Sequence, residues 1–434
     1  MTARSLTARH SVVAALAAGA CAAAMAGAGL GSAPTANATC ISVFGLGNGG
    51  GCTSTFLSAA IAIGDGATAT ANGLLGAAIA LGTNATAATG DAFTFATSLG
   101  DAASATANGL FGIATQLGSN GSATTQGSGT FGNLGLNIAL NLGFGSPALN
   151  TVTAAGIGNI AANLFGRATA PGFHTVSSQG TLDVAVNVGG DNNTVLSGAG
   201  FLNRSFNFFG NGNTVQGYGG LGNVARNFLG NTNVVTTDTG NANSATNFFG
   251  SDNAVTATSG AGNIATSLLG SANTVTVAGG TLDSARNWVG TNNTVQTGGG
   301  FQNSAINILG ASNQLTATGS NSNTALNVLG TSSTLQAGTV GANGNLAITF
   351  GGSSNNVTGG ASAGNNTLGF GVFGSGNTVS AGPGPLALAG SVFQNGQTVT
   401  KVGPGLAINN FRIGGAAANR PAAGTVAAAR KAAR

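Results

Sequence analysis

Between residues 181 and 335 the chain realigns on itself every 20 residues, and that spacing constrains the fold more than any other feature. Asn193, Asn213, Asn233, Asn253, Asn273, Asn293 and Asn313 fill one column, and Ser333 continues it. Two places on stands an unbroken aliphatic column, Val195, Val215, Val235, Val255, Val275, Val295, Leu315 and Leu335. Ten residues before the Asn column runs a second one, Asp183, Asn203, Asn223, Asn243, Asn263, Asp283, Asn303 and Asn323, followed four places on by Asn187, Asn207, Asn227, Asn247, Ser267, Asn287, Asn307 and Asn327. Glycine recurs without exception from Gly190 to Gly330. With two-residue insertions the series passes Asn355-Asn356-Val357 and Asn377-Thr378-Val379 and ends near Gln397-Thr398-Val399, eleven coils in all.

A shorter repeat precedes it. Gly64, Gly82, Gly100 and Gly118 stand 18 apart, each after Ile63, Leu81, Leu99 or Leu117. Asn137/Asn141 and Asn159/Asn163 then show the Asn-x-x-x-Asn spacing at a looser interval, a transition between coil lengths.

Such columns are what a β-solenoid produces. Stacked strands lie about 4.8 Å apart, so one Asn per coil bonds to the Asn above and below, and Gly supplies the positive φ of tight corners. Val between polar neighbours alternates with period 2, which excludes helical repeats. The fold class expected is all-β, an elongated parallel solenoid with 18-residue coils followed by 20- to 22-residue coils. From Ala59 to about Ile413 there is room for roughly 18 coils, a rod on the order of 85 Å long. The 77 glycines among 434 residues then mark close-packed corners; only 7 prolines and no Gly every third residue exclude collagen.

The chain divides as follows. Residues 1–38 read as a secretory signal: Arg4, Arg9 and His10 give a basic start, Val12 to Ala28 an apolar stretch, and Ala36-Asn37-Ala38 a small-residue cleavage site. Cys21 in that segment lacks the aliphatic residue three places upstream that lipid attachment uses. Residues 39–57 hold Cys40 and Cys52, which in an exported chain are expected to form one disulfide. Residues 58–132 carry the 18-residue coils, 133–180 the transition, 181–413 the longer coils, and 414–434 an Ala/Arg-rich tail. No later apolar run reaches the ~18 residues of a membrane span. The location expected is secreted or cell-surface.

Reactive groups are scarce. The chain has 8 Asp, no Glu and two His, His10 and His174. Paired-carboxylate catalysis and multi-ligand metal sites have little to draw on, so no catalytic, metal or cofactor residue is expected. Ca²⁺-binding rolls need Asp in adjacent coils, and here Asp is scattered. Flat Thr-x-Thr ranks of an ice-binding face are present in one coil of eight. Without Arg4 and Arg9, 10 basic residues face 8 acidic ones, too diffuse a charge for a nucleic-acid track. The rival reading is a solenoid enzyme or binding module acting on envelope polysaccharide, relying on isolated Asp183, Asp191, His174 and Arg204.

One stripe has two readings. Phe208, Phe228, Phe248, Leu268, Trp288, Ile308 and Val328 are each followed by a second, mostly apolar residue, and adjacent residues of a flat strand point to opposite sides. Either one column faces outward as a lateral contact, for example between copies of the chain, or the chain turns a corner there and buries both.

Ala60–Ala69 (AIAIGDGATA) and Ala78–Ala87 (AIALGTNATA) resemble the head repeats of trimeric autotransporter adhesins, which implies a parallel β-roll and binding to host matrix over about 60 to 70 residues. The same segment also reads in hexapeptides similar to the left-handed β-helix of acyltransferases, whose catalytic His has no counterpart inside these repeats. The Ala/Gly/Asn-rich, Glu-free style resembles secreted surface proteins of high-GC Gram-positive bacteria, mycobacteria especially. The function expected is a non-enzymatic structural or adhesion-like surface protein, with host matrix or envelope glycans as partners.

Overall fold

The computed structural model describes residues 39–48, 50–128, 135–143, 149–169, 172–362 and 364–414; the expected signal segment and nearly all of the tail lie outside them. Every regular element described is a strand, and the strands form a parallel β-solenoid of about 17 turns. Each turn contributes one strand to each of two sheets. One sheet, here called the Ala sheet, has 21 strands and the other, the Val sheet, has 18. Successive coils pair in register apart from one bulge between Ser178 and Gly180: Ala225 lies beside Ala245 and Val235 beside Val255, so columns in the sequence become columns in space.

Each sheet is named for its first core-facing column. Ala185, Ala225, Ala245, Ala265 and Ala285 point inward from one side, Val195 through Leu335 from the other, and all are fully buried. The second inward column of the Ala sheet is polar, Asn187, Asn207, Asn227 and Asn247, also fully buried. The interior is thus a thin slab of methyl, isopropyl and amide groups. Its amides are satisfied by one another: Asn207 Nδ2 donates to Asn187 Oδ1 at 2.7 Å, Asn227 to Asn207 at 2.8 Å, and Asn247 to Asn227 at 2.8 Å. Ser267 interrupts this ladder. Its hydroxyl and the Nδ2 of Asn287 above it are buried with no hydrogen-bond partner.

The corner asparagines bond differently from the expectation. Asn213 donates its backbone N–H to Asn193 Oδ1 (2.9 Å) and its Nδ2 to Gly230 O (2.8 Å), and Asn233 repeats this with Asn213 and Gly250. These bonds run mainly from side chain to backbone; direct amide-to-amide bonds join Asn273, Asn293 and Asn313 to the coil before. The residue before each corner Asn is left-handed, as at Asn192, Thr232 and Asp252, turning the amide inward. Gly230 shows why the Gly column is unbroken: φ is +131°, and a Cβ there would overlap the Gly250 carbonyl.

Antiparallel strands close both ends of the Ala sheet. Thr39–Val43 pairs with Ala59–Ile63, and Phe411–Ile413 pairs with Gly405–Ile408. Cys40, in the first of these, is disulfide-bonded to Cys52, which opens the Val sheet, so the bridge joins the two sheets at the N-terminal end. At the other end Lys401 lies fully buried in the last Val-sheet strand, its Nζ donating to Val402 O at 2.9 Å.

Candidate functional site

The four isolated groups of the enzymatic reading are not assembled into one site. His174 occupies a corner position of the Val sheet and is fully buried. Its Nδ1 accepts the Asn193 N–H at 3.1 Å, the role an Asn Oδ1 plays elsewhere, which leaves the proton on Nε2. Burial lowers its pKa to about 4, so the ring is neutral. Asp183 sits nine residues along the coil, at the other corner. It too is fully buried, and its Oδ1 accepts the Asn203 N–H at 2.7 Å. Desolvation raises its pKa to about 6, and Asp283, in the same column 100 residues on, is raised to about 6 for the same reason. Asp191 pairs with Arg167 at 3.5 Å on the surface, and Arg204 is exposed. His174, Asp183 and Asp283 are therefore ladder members occupying Asn positions.

The apolar stripe corrects the reading in which a corner buries both of its columns. Asn203, Ser205 and Asn207 are the buried positions of their strand, so Phe208 falls on the outer side, and a slab that accepts Ala and an amide has no room for a phenyl ring. Phe208, Phe228 and Phe248 are half-buried against one another, stacked at centroid separations of 5.1 and 4.9 Å. Trp288 is 48% exposed, and in the following column Phe209 is 51% exposed. Neither column faces inward.

This stripe is one edge of a larger surface. In register with Phe208 stand Ile63, Leu81, Leu99, Leu117, Leu142, Leu164 and Val188 on the N-terminal side and Phe350, Val372 and Val392 on the C-terminal side, an apolar column along the whole rod. Its two outward neighbours on each strand are also largely apolar: Ile138 and Leu140, Val184 and Val186, Leu346 and Ile348, Leu368 and Phe370. The outer face of the Ala sheet is therefore a part-exposed β-surface that is largely apolar across three side chains toward both ends of the rod, while between Arg204 and Thr324 the apolar column is flanked mostly by Ser, Thr and Arg. Its charged groups are confined to the middle third, at Arg204, Arg226 and Arg286. The outer face of the Val sheet is of opposite character, with pairs such as Thr274/Thr276, Thr294/Gln296, Thr334/Gln336 and Thr398/Thr400.

A shallow groove of about 660 Å³ lies where Gly298–Gly300 and Thr318–Asn321 turn beside Val340, and no titratable side chain lines it. Among the described residues no three His, Cys, Asp or Glu side chains converge as metal ligands, and no helix is long and apolar enough to cross a membrane. Comparison with protein-family models, with curated proteins and with solved structures finds no match.

Proposed function

We propose that this chain is a non-enzymatic, exported surface protein whose regular faces serve adhesion or envelope structure. The observation that carries the reading is the two-faced rod: one long, largely apolar sheet surface and one Thr- and Gln-rich surface, with the buried His174, Asp183 and Asp283 built into ladders. The export signal read in residues 1–38, the likeness of the first coils to adhesin head repeats and the compositional likeness to mycobacterial secreted proteins all favour an extracellular setting. Host matrix or envelope glycans are the partners this assigns, met by the hydroxyl- and amide-bearing face, whose columns repeat about every 4.8 Å. Protease shaving and surface labelling of intact cells, followed by matrix and glycan arrays with the purified protein, test it. Surface exposure with saturable binding lost in Thr276→Lys/Thr316→Lys is the expected result. A strictly intracellular protein, or turnover of a polysaccharide by the purified chain, would refute it.

A further inference from the structure

The outer face of the Ala sheet is too large and too apolar to remain in water. With about 17 turns at roughly 4.8 Å it is about 80 Å long, and three outward residues of a strand span about 13 Å. The whole face is on the order of 1,000 Å², and without the flanking columns of the seven middle coils its apolar part is roughly 700 Å², against the ~300–600 Å² of the largest apolar patch on a typical monomer. We infer that this face is covered by a second copy of the chain, packed sheet on sheet with the two rods antiparallel.

Area and charge both argue for this occupant. Two such faces would together bury about 2,000 Å², at the upper end of the range around 1,600 Å² typical of stable protein interfaces. Two β-faces pack on each other at about 10 Å with side chains interdigitating. Orientation follows from the arginines. Parallel rods in register, related by a two-fold along the rod, would set Arg226 and Arg286, both in the middle column, each against its own copy. Antiparallel rods centred on Val224–Leu229, the eleventh of the 21 strands, set only Arg226 against its own copy, place Arg204 opposite Ser244, and bring the charge-free N-terminal third against the charge-free C-terminal third. The dimer then presents its Thr-rich Val-sheet faces on both outer sides. This inference does not rest on the proposed adhesion role, since it concerns the solution state of the purified chain.

The test is the mass of the full chain by sedimentation and light scattering over a range of concentrations. A doubled mass is expected for the parent and for Thr256→Lys/Thr358→Lys on the polar face, and its loss for Ile79→Lys/Ile348→Lys on the apolar face with strand circular dichroism unchanged. Should the lysine pair misfold, Ile79→Thr/Ile348→Thr is the milder probe, because Thr97 and Thr115 already occupy that column; about tenfold weaker association or more is expected. In a Cys21→Ser background, a chain carrying both Thr115→Cys and Leu326→Cys, five strands to either side of Val224–Leu229, should cross-link to its partner, and neither single variant should. A parent that is monomeric at every concentration, one that binds phosphatidylcholine vesicles as a monomer, or a doubled mass that survives the apolar-face lysines would overturn the inference. Self-cross-linking of a single cysteine variant would overturn the antiparallel arrangement.

Discussion

Asp283→Asn should stabilise the rod at neutral pH and change it little in mild acid. In the corner column the neighbouring Asn263 accepts the next coil's N–H on Oδ1 and donates Nδ2–H to Ser259 O (2.7 Å). Asp283 keeps the first bond, to Asn303 N–H at 2.7 Å, but its Oδ2 is buried with no partner. Desolvation raises the carboxyl from 3.8 to about 6. Because the folded value lies above the unfolded one, the native state holds the proton more tightly. Stability is full below about pH 4, falls as the pH rises through the interval to about 6, and stays low above it. At 1.36 kcal/mol per pKa unit the loss is at most about 3 kcal/mol, so a gain of about 1–3 kcal/mol is expected for the variant at neutral pH. Urea unfolding followed by circular dichroism at about pH 4 and about pH 7.5, parent against variant, isolates this carboxyl from the other titrating Asp residues. An equal gain at both pH values, or a loss at neutral pH, would refute the account of Asp283 as a misplaced carboxylate in an amide ladder.

Three further outcomes follow from the same geometry. His174→Asn should be near neutral at pH 7 and stabilising in acid: the folded pKa of about 4 lies below the ordinary 6.5, so the parent loses stability as pH falls through that interval, which acid unfolding midpoints would read. Ser267→Asn should rejoin the interrupted amide ladder and raise stability by about 1–2 kcal/mol, measured as a shifted urea midpoint; no gain would mean the unpartnered Asn287 amide costs nothing. Asn253→Leu strands the Gly270 carbonyl and the Asn273 N–H and should cost about 3 kcal/mol, whereas Thr256→Ser on the outer face should cost less than about 0.5, and equal effects would sink the ladder.

The fold was legible because in-register pairing turns sequence periodicity directly into stacked columns. Val195 to Leu335 read as a core position, and they lie in the core. The outer face was harder to read because this interior inverts the usual rule that large apolar groups go inside. A slab this thin takes Ala and amides, so Phe208, Phe228, Phe248 and Trp288 are left on the surface while Asn207 and Asn227 are fully buried. Parity along the strand from Asn203 would have placed Phe208 outward; what it cannot show is that the other two outward columns are apolar for most of the rod, which only the full register reveals. Likewise His174 stood out in the sequence as a lone ionisable group, and only its place in line with Asn193 shows it doing the work of an Asn.

The antiparallel strands at the two ends of the Ala sheet set the length of the object. Every internal coil offers the next one a parallel edge in identical register, a geometry that in principle adds subunits without limit, as fibres do. Thr39–Val43, whose outer side is paired in turn with Leu46–Gly47, and Phe411–Ile413 run the opposite way, with the unevenly spaced hydrogen bonds of antiparallel pairing, and present an incoming parallel coil with the wrong pattern of donors and acceptors. They act as chain stoppers on a one-dimensional polymer whose monomers are its own coils. Deleting the terminal strand beside Gly405–Ile408 is therefore expected to bare an edge on which further copies add end to end.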